Sequence, residues 1–500
     1  MKMYRRCFTC CLAFFWIGWA LPACAESKVV VYPAPADGNM AGDYKVAVNG
    51  KEVFVFNNPV AAIAAFDFEG EAEIAVTPTK DVKWVDIRPM RLGIKPKVKD
   101  NCIRFKISQP CTLSIELNKY PLRHPLFLFA NPIEKNAPKP GDKGVHYFEA
   151  GKVHTPGVIE VNEGEVVYIA GGAVVEGAIL ANNANNIRVC GRGILDGTKM
   201  RDLMGSRRMR FVQFSDCNNV EVEGIILSNS KTWQIMPANC NNVTIRNVKI
   251  VSDNGSDDGI DIVSTRNVTI QNCFVHTKDD CVVIKAFPGG PRYPGRDANT
   301  PGPDVNNVLV KDSVFWNSAW GNALEIGFEL RASAVNNVTF KNCDIIHVED
   351  GATFSIHNGD FATVSNIRFE DIRVEDSTQK LFDFAIFLSQ YSGDRPRDPN
   401  LRQTRYLHGA WDGVWSVNDE QRKEHSEKRG HIKNVYCKNI SVVDGRTPFS
   451  IIYGFDDKHQ VENVTFENLT IHGKTIKNAE DGQFWIENAK SIKFIDSAKK

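Results

Sequence analysis

The stretch Cys240–Ile250 reads CNNVTIRNVKI, and it decides the fold class of this chain. After two asparagines, its apolar and polar residues alternate with the period of a β-strand, and no amphipathic helical run lies nearby. Related phrases return along the chain as CNNVEV, TRNVTI, VNNVLV, VNNVTF and VENVTF. The sequence therefore predicts a repeat protein whose unit is a short strand.

One asparagine ahead of each apolar run marks the repeat. These residues are Asn186, Asn219, Asn242, Asn267, Asn307, Asn337, Asn366, Asn434 and Asn463. The base period lies in the twenties and is lengthened in places, most of all between Asn366 and Asn434. Such repeats predict a parallel β-helix, because one coil cannot bury its apolar face alone and must stack on its neighbours. The longer intervals predict loops, which in solenoids gather on the binding face.

The residues ahead of the repeat predict a smaller unit. Strand-like runs AEIAVTP, CIRFKI and CTLSIEL, with a hairpin turn at Asn49–Gly50, are typical of an antiparallel β-sandwich. We therefore predict an all-β chain in which a small antiparallel β-sandwich precedes a right-handed parallel β-helix. The predicted divisions are a signal peptide at 1–25, the sandwich at 26–133, a linker at 134–144 and the β-helix at 145–500.

Charge and the N-terminal segment limit the partners. Sixty basic residues balance 60 acidic ones, so no global field favours a nucleic-acid partner. The order MKMYRRC, then an apolar run, then ACAES is that of an export signal. Cleavage after Ala25 is favoured, and a lipoprotein with a lipid anchor at Cys24 is the alternative. We predict a periplasmic or extracellular protein without a membrane span.

The cysteines outside the signal show no paired CxxC spacing, so they do not indicate a metal-thiolate site. Cys217 and Cys240 both precede a repeat asparagine by two positions, while Cys273 and Cys343 both follow one by six. Equivalent positions on successive coils stack, so these four cysteines are predicted to be buried and structural.

Two groups of carboxylates stand about one coil apart. Asp257, Asp258 and Asp261 form the first group, and Asp279 and Asp280 form the second. Stacking would place Asp258 and Asp280 one above the other and make the two groups one site. Crowded carboxyls in a partly desolvated cleft should have at least one raised pKa, which is what a general acid near neutrality requires. Cleavage of a glycosidic bond requires such an acid to protonate the leaving oxygen and a carboxylate base to activate water.

The motifs DGIDIV and KDDCVVIKA, preceded by GRGILDG at 191–197, resemble the pectinase-like parallel β-helix glycoside hydrolases, the clan of polygalacturonases, dextranases and isopullulanases. The resemblance covers roughly residues 145–370. It implies that Asp279 is the general acid and that Asp258 and Asp280 hold and deprotonate a water. It also implies inversion at the anomeric carbon, with no metal or cofactor.

The chain departs from the polygalacturonase pattern in two places. Asn322, in WGNALEIGFE, stands where that family has the His of a Gly-His-Gly block, and no Arg-Ile-Lys block follows. An acidic sugar favours charge-assisted partners, so the departures favour a neutral glycan and a dextranase-like enzyme. A polygalacturonase-type pectin hydrolase is the alternative, with Lys285 and Arg331 as replacement cations.

Further residues are candidates for contacting a polysaccharide or oligosaccharide substrate. The predicted substrate-binding set is Asn322, Lys285, Trp320, Glu325 and His357. Trp320 is placed to stack on a sugar ring, with edge packing as the alternative; for Glu325 the alternation leaves open which way the side chain points. Tyr391, Trp411 and Trp415, in the long insertion at about 378–430, are candidates of the same kind.

Two functions of other classes compete with hydrolysis. A polysaccharide lyase or epimerase on a β-helix would use the aspartates to bind calcium and a Lys or Arg as its base. A non-catalytic glycan-binding protein would need no acid at Asp279. We favour a secreted hydrolase, because a binding surface does not require three carboxylates on two adjacent coils.

Overall fold

The computed structural model describes residues 27–118, 124–200, 209–288, 300–389, 391–395, 403–407, 410–416 and 419–497. These residues form a small two-sheet β unit followed by a long stack of parallel strands. The all-β class and the β-helix predicted from the repeat are therefore confirmed. The predicted signal peptide and Cys24 lie outside the described residues, and the divisions at 133 and 145 stay a prediction.

The N-terminal unit contains eleven strands and one 3₁₀ turn at Met90–Leu92 within the described residues. Its strands are β1 (Lys28–Val31), β2 (Tyr44–Val48), β3 (Lys51–Val53), β4 (Val55–Asn57), β5 (Ala62–Glu69), β6 (Ala72–Pro78), β7 (Val85–Arg88), β8 (Lys97–Lys99), β9 (Cys102–Ile107), β10 (Cys111–Leu117) and β11 (Leu126–Pro132).

These strands make two sheets, in the orders β1-β5-β11-β10-β7 and β3-β2-β6-β9-β8, with β4 beside β5. The hairpin predicted at Asn49–Gly50 joins β2 to β3, and both residues have positive φ, as a tight hairpin turn requires. One pairing differs from the purely antiparallel expectation: β5 and β11 run parallel, with Leu126 opposite Ala62. The two strands are far apart in sequence, so no tight turn forces them to be antiparallel.

The strands after the sandwich follow the repeat. They are β12 (Val145–Phe148), β13 (Val153–Glu160), β14 (Val166–Ile169), β15 (Val174–Asn182), β16 (Asn185–Gly191), β17 (Ile194–Asp196), β18 (Val212–Ser215), β19 (Asn218–Glu223), β20 (Ile226–Ser228), β21 (Ile235–Ala238), β22 (Asn241–Arg246), β23 (Lys249–Val251), β24 (Ile260–Val263), β25 (Arg266–Gln271), β26 (Phe274–Thr277), β27 (Val282–Ala286), β28 (Val305–Lys311), β29 (Val314–Asn317), β30 (Leu324–Leu330), β31 (Ala334–Lys341), β32 (Asp344–Val348), β33 (Ala352–Asn358), β34 (Thr363–Val374), β35 (Lys380–Ile386), β36 (Gln403–Leu407), β37 (Ala410–Ser416), β38 (His431–Val442), β39 (Phe449–Tyr453), β40 (Val461–Glu467), β41 (Thr470–Ile471), β42 (Lys474–Thr475), β43 (Phe484–Glu487) and β44 (Ala489–Ile495).

Three parallel sheets form the sides of the β-helix, because each strand pairs with its equivalent on the next coil. The front sheet contains β18, β21, β24, β27, β30, β33, β35, β39 and β43. The side sheet contains β14, β16, β19, β22, β25, β28, β31, β34, β38, β40 and β44. The back sheet contains β17, β20, β23, β26, β29 and β32 and continues into the ends of β34 and β38. Their inward-facing Val, Ile, Leu and Phe side chains make one continuous core.

The repeat asparagines form a ladder along the side sheet. All nine adopt left-handed backbone conformations, with φ between 54° and 61°. Asn tolerates this region better than most residues, and its amide can also bond locally. Asn219 Nδ2 donates to Asn186 Oδ1 at 2.9 Å, and Asn242 Nδ2 donates to Asn219 Oδ1 at 2.7 Å. Each repeat asparagine therefore forms a turn, and its side-chain amide can hydrogen-bond to the neighbouring coil.

The four cysteines predicted to be structural are buried, and the described cysteines form no disulfide. Cys217 and Cys240 lie on neighbouring coils and donate weak bonds to main-chain oxygens of their own strands. The long insertion contains the hairpin of β36 and β37 and one helix, α1 (Asp419–Ser426). Among the described residues, no helix has the length and apolar character needed to span a membrane.

The sandwich packs on the back sheet. Phe127 lies 4.8 Å from Phe274 and 5.8 Å from Trp316, measured between ring centroids, and all three side chains are buried. Ion pairs reinforce this apolar contact: Arg192 Nε donates to Asp67 at 3.1 Å, with both side chains almost fully buried. The sandwich therefore covers the side of the β-helix behind the front sheet.

The ladder predicts how substitutions at Asn242 will behave. Asn242→Gly should lose the bond to Asn219 and cost about 1 kcal/mol, whereas Asn242→Ala should also place a Cβ in the left-handed region and cost about 1–2 kcal/mol more. Unfolding free energies from guanidinium titrations of the two variants and the parent chain measure the difference. Equal losses for Gly and Ala would contradict the left-handed role of this position.

Candidate active site

The two carboxylate groups meet on adjacent coils of the front sheet. Ile260 of β24 pairs with Val282 of β27, which places Asp258 and Asp280 at equivalent positions just ahead of these strands. One carboxylate oxygen from each of Asp258, Asp279 and Asp280 lies within 4.8 Å of the others. We call these three residues the aspartate trio. The stacking predicted for them is therefore present.

The members of the trio differ in exposure and in pKa. Asp258 and Asp280 are buried, whereas Asp279 is half-buried. Burial and then repulsion from Asp258 raise the pKa of Asp279 to about 7. Burial and the charges of Asp279 and Glu325 also raise the pKa of Asp280 well above its ordinary value. The trio therefore retains a proton near neutral pH.

Lys285 of β27 lies beneath the trio. Its ammonium donates to Asp258 Oδ2 at 2.8 Å and to Asp261 Oδ1 at 2.9 Å. Burial lowers the pKa of Lys285, but Asp258 and Asp261 outweigh it and raise that pKa well above its ordinary value. The ammonium also lies 3.7 Å from the ring centroid of Trp233, whose ring is 3.8 Å from Arg210 Cζ. The Lys285 ammonium is therefore already paired with two carboxylates, those of Asp258 and Asp261.

Asn322 stands on the next coil, opposite Asp280, because Val282 pairs with Leu324. Its main-chain N–H and its amide donate to Asp280 Oδ1 at 2.7 and 3.2 Å. Its Oδ1 accepts the N–H of Ala352 at 2.8 Å. The side chain is therefore a buried partner of the trio.

Glu325 and His357, which are predicted to contact substrate, are buried residues of the front-sheet strands β30 and β33. His357 is fully buried between Glu325 and Asp383, at 3.1 Å from each. Burial lowers its pKa, but the two carboxylates outweigh burial and raise the pKa to about 10. Ser355 and Lys380 complete this row by bonding Glu325 and Asp383. The structure brings these residues beside the trio, paired with one another, and their substrate contact stays a prediction.

Aromatic rings stand at two positions near the trio. Trp320 is 54% exposed, and its ring lies 4.4 Å from Lys278 Nζ. Tyr391 is 46% exposed and packs on Phe328 at 5.5 Å. Nothing is described for the side chains of Trp411 and Trp415. Exposed rings of this kind are the usual stacking surfaces for sugars.

Arg331, the other candidate cation, is also paired. Its Nη1 donates to the main-chain oxygen of Tyr391 at 3.1 Å and lies 3.5 Å from Asp360 Oδ2. The side chain is buried, with its face 5.5 Å from the Phe287 ring. Arg331 therefore serves first to tie the end of β30 to neighbouring loops.

Two functional neighbours of the trio had no distinct signal in the sequence. Asp257 accepts the N–H groups of Lys278 and Asp279 at 3.1 and 3.0 Å. Asn317 donates from its amide to the carbonyl of Asp279 at 2.9 Å. In the sequence Asp257 is one member of an acidic group, and Asn317 resembles any other strand-end asparagine.

Comparisons with known proteins agree with this architecture. Residues 158–382 match the model of glycosyl hydrolases family 28. The polygalacturonase QRT2 of Arabidopsis thaliana is 27% identical over 220 residues, which are 41% of this chain and 45% of the relative. A probable endopolygalacturonase D of Neosartorya fischeri is 32% identical over 137 residues, 27% of this chain and 24% of the relative. The chain spans less than half the length of these curated relatives.

A solved structure shares nearly the whole fold. Dex49A from Penicillium minioluteum superposes with a TM-score of 0.63 over 93% of this chain and 96% of its own, at 15% sequence identity. Its coverage includes the sandwich as well as the β-helix, and at this identity the likeness concerns the fold alone. Together with the matched residues 158–382, these findings confirm the resemblance to glycosyl hydrolases family 28 and to the pectinase-like parallel β-helix clan.

Proposed function

We propose that the chain is a glycoside hydrolase that cleaves a polysaccharide or oligosaccharide with inversion, using Asp279 as general acid. The observation that carries this proposal is the aspartate trio, whose oxygens converge within 4.8 Å on a face flanked by exposed Trp320 and Tyr391. A half-buried carboxyl with a pKa of about 7 holds its proton in the range where it must donate to a leaving oxygen.

Asp258 is the base in this proposal. Its Oδ2 accepts a hydrogen bond from the Lys285 ammonium at 2.8 Å, and its Oδ1 has no hydrogen-bond partner among the described residues. That oxygen can accept a proton from a water molecule. Asp280, fixed by Asn322, holds the same water from the neighbouring coil. The ammonium weakens Asp258 as a direct nucleophile, since it draws charge from the carboxylate.

A neutral glycan is the substrate class that the site supports best. The ammonium of Lys285 is held by two aspartates, Arg331 is paired with Asp360, and the amide of Asn322 is neutral. A uronate carboxylate would need a cation that is free to form a charge-assisted bond. The hypothesis of a dextranase-like enzyme rests on this distribution of charge.

Polygalacturonan is the second candidate. The curated relatives reported above are polygalacturonases, and the family match covers the coils that hold the trio. In this case Arg331 would exchange Asp360 for the uronate carboxylate. We further propose export, from the N-terminal charge and apolar pattern, with a lipid anchor at Cys24 as the alternative.

The first prediction concerns which glycans are cleaved. Reducing-sugar release from dextran, pullulan, arabinogalactan, rhamnogalacturonan and polygalacturonan should identify a substrate, with a neutral glycan expected. Asp279→Asn keeps the shape of the side chain but cannot donate the proton, so kcat should fall by about 10²–10⁴ with KM little changed.

Asp304→Asn is the matched control for this loss, because it makes the same change at a carboxylate elsewhere in the β-helix, one that accepts the main-chain N–H of Ala334 at 2.8 Å. It should retain activity. A chelator should leave hydrolysis intact; chelator-sensitive formation of unsaturated products would replace this proposal with the calcium-dependent lyase. Binding without cleavage that Asp279→Asn leaves unchanged would support a glycan-binding protein.

The second prediction concerns pH. Because the acid must be protonated, kcat/KM should fall as pH rises through about 7, the pKa of Asp279. The decline should be absent from the residual activity of Asp279→Asn, measured over the same buffers. A wild-type rate that stays constant from pH 6 to pH 9 would exclude Asp279 as the acid.

The third prediction concerns stereochemistry. Inverting enzymes usually separate their carboxyls by about 6.5–9.5 Å and retaining ones by about 5–5.5 Å, so the spacing in the trio by itself favours retention. We nevertheless expect inversion, because Lys285 and Asn322 restrain the two carboxylates that would attack. Proton NMR that identifies the anomer released first distinguishes inversion from retention. Release of the retained anomer would make Asp258 or Asp280 the nucleophile.

A further inference from the structure

Asp257 lies immediately beside the trio, and its side chain is completely buried. Its Oδ1 accepts the main-chain N–H groups of Lys278 and Asp279, at 3.1 and 3.0 Å. Its Oδ2 accepts the N–H of Asn254 at 2.7 Å. One carboxylate thus bonds three main-chain groups on two successive coils, including that of the proposed acid.

The same turn is held from the coil above. The buried amide of Asn317 donates to the carbonyl oxygens of Asp279 at 2.9 Å and of Trp320 at 2.7 Å. Asp257 therefore fixes the N–H of Asp279 while Asn317 fixes its C=O. The main chain of the acid is fixed on both sides, while the residue itself is half-buried.

The hydrogen bonds of Asp257 exceed those that an ordinary turn aspartate makes. Asp304 accepts a single main-chain N–H of the next coil, whereas Asp257 accepts two N–H groups of the next coil and one of its own. A neutral acceptor would avoid the cost of burying a charge, and burial does raise the pKa of Asp257 to about 6. Near neutral pH the side chain is then largely ionised and lies next to Asp279.

We propose that Asp257 is a positioning residue for catalysis: it orients the main chain of Asp279 and places a negative charge beside the carboxyl that donates the proton. This inference rests on the proposed function and assigns a further residue to the same site. Because its side chain is completely buried, Asp257 acts through the main-chain groups that it bonds, including that of Asp279.

Several charged or titratable groups act on Asp279. They are Asp257, Asp258, Asp280 and Lys285, with Tyr391 facing from the insertion. Burial and Asp258 raise the pKa of Asp279 most, Lys285 lowers it, and Asp257 raises it further. Removing the Asp257 charge alone should thus let Asp279 lose its proton at a lower pH.

Asp257→Asn tests the proposal, because it keeps the size of the side chain while removing its charge and at least one acceptor position. We expect kcat to fall about tenfold to a hundredfold with a smaller change in KM, as a slightly misplaced acid would give. We also expect the high-pH decline of kcat/KM to move to lower pH. Asp304→Asn, which removes a turn carboxylate elsewhere, should change neither quantity.

A merely structural role would lower the rate equally at every pH, so an unmoved high-pH decline overturns the proposal. Hydrogen exchange of the wild-type chain is a second measurement for the case in which Asp257→Asn does not fold. Peptides covering Lys278–Asp280 should be protected, and rapid exchange there would overturn the proposal. Wild-type inactivity on all glycans would refute the proposed function instead, while an active wild type with a normal Asp257→Asn variant would refute this inference alone.

Discussion

The in-register stacking of one coil on the next is the constraint on which the rest of this structure depends. Each front-sheet position pairs with its equivalent above and below, so Ile260, Val282, Leu324 and Phe354 form one column. The sequence insertions form loops between strands and leave most of this register unchanged, with a local shift in the pairing of β27 and β30 after Ile284. The residues just ahead of successive strands therefore converge, although they are far apart along the chain.

Stacking also concentrates charge, and the site depends on how that charge is compensated. A buried carboxylate is costly unless it is paired or hydrogen-bonded. Lys285 compensates Asp258 and Asp261, while Asn322 bonds Asp280 without adding charge. Within the part of the chain that the structure describes, no Lys or Arg forms an ion pair with Asp279, the residue that we propose as the acid.

The sandwich stabilises the β-helix from behind. Its aromatic contact with the back sheet continues into a buried polar network, in which His347 lies 3.0 Å from Glu116 of the sandwich and 3.2 Å from Asp376. Burial lowers the pKa of His347, but Glu116 outweighs it, and the pKa is raised to about 9. Arg88 Nη1 bonds Glu375 at 2.9 Å across the same boundary. The back sheet also contains β26, which leads directly into the turn at Lys278–Asp280, so this contact supports the site from behind.

The period of the fold can be predicted from the sequence, because an asparagine that tolerates the left-handed region and bonds to the neighbouring coil recurs at each turn, as at Asn242. The sequence also predicts that Asp258 and Asp280 meet, since about one period separates them. Which charged groups are already paired can be seen only in the folded chain. Lys285, Glu325 and His357 read as substrate contacts, yet each is paired with neighbours from adjacent coils, and Asp257 holds a turn on a different coil. Those pairings depend on side-chain direction and on distances of about 3 Å, which a one-dimensional period does not specify.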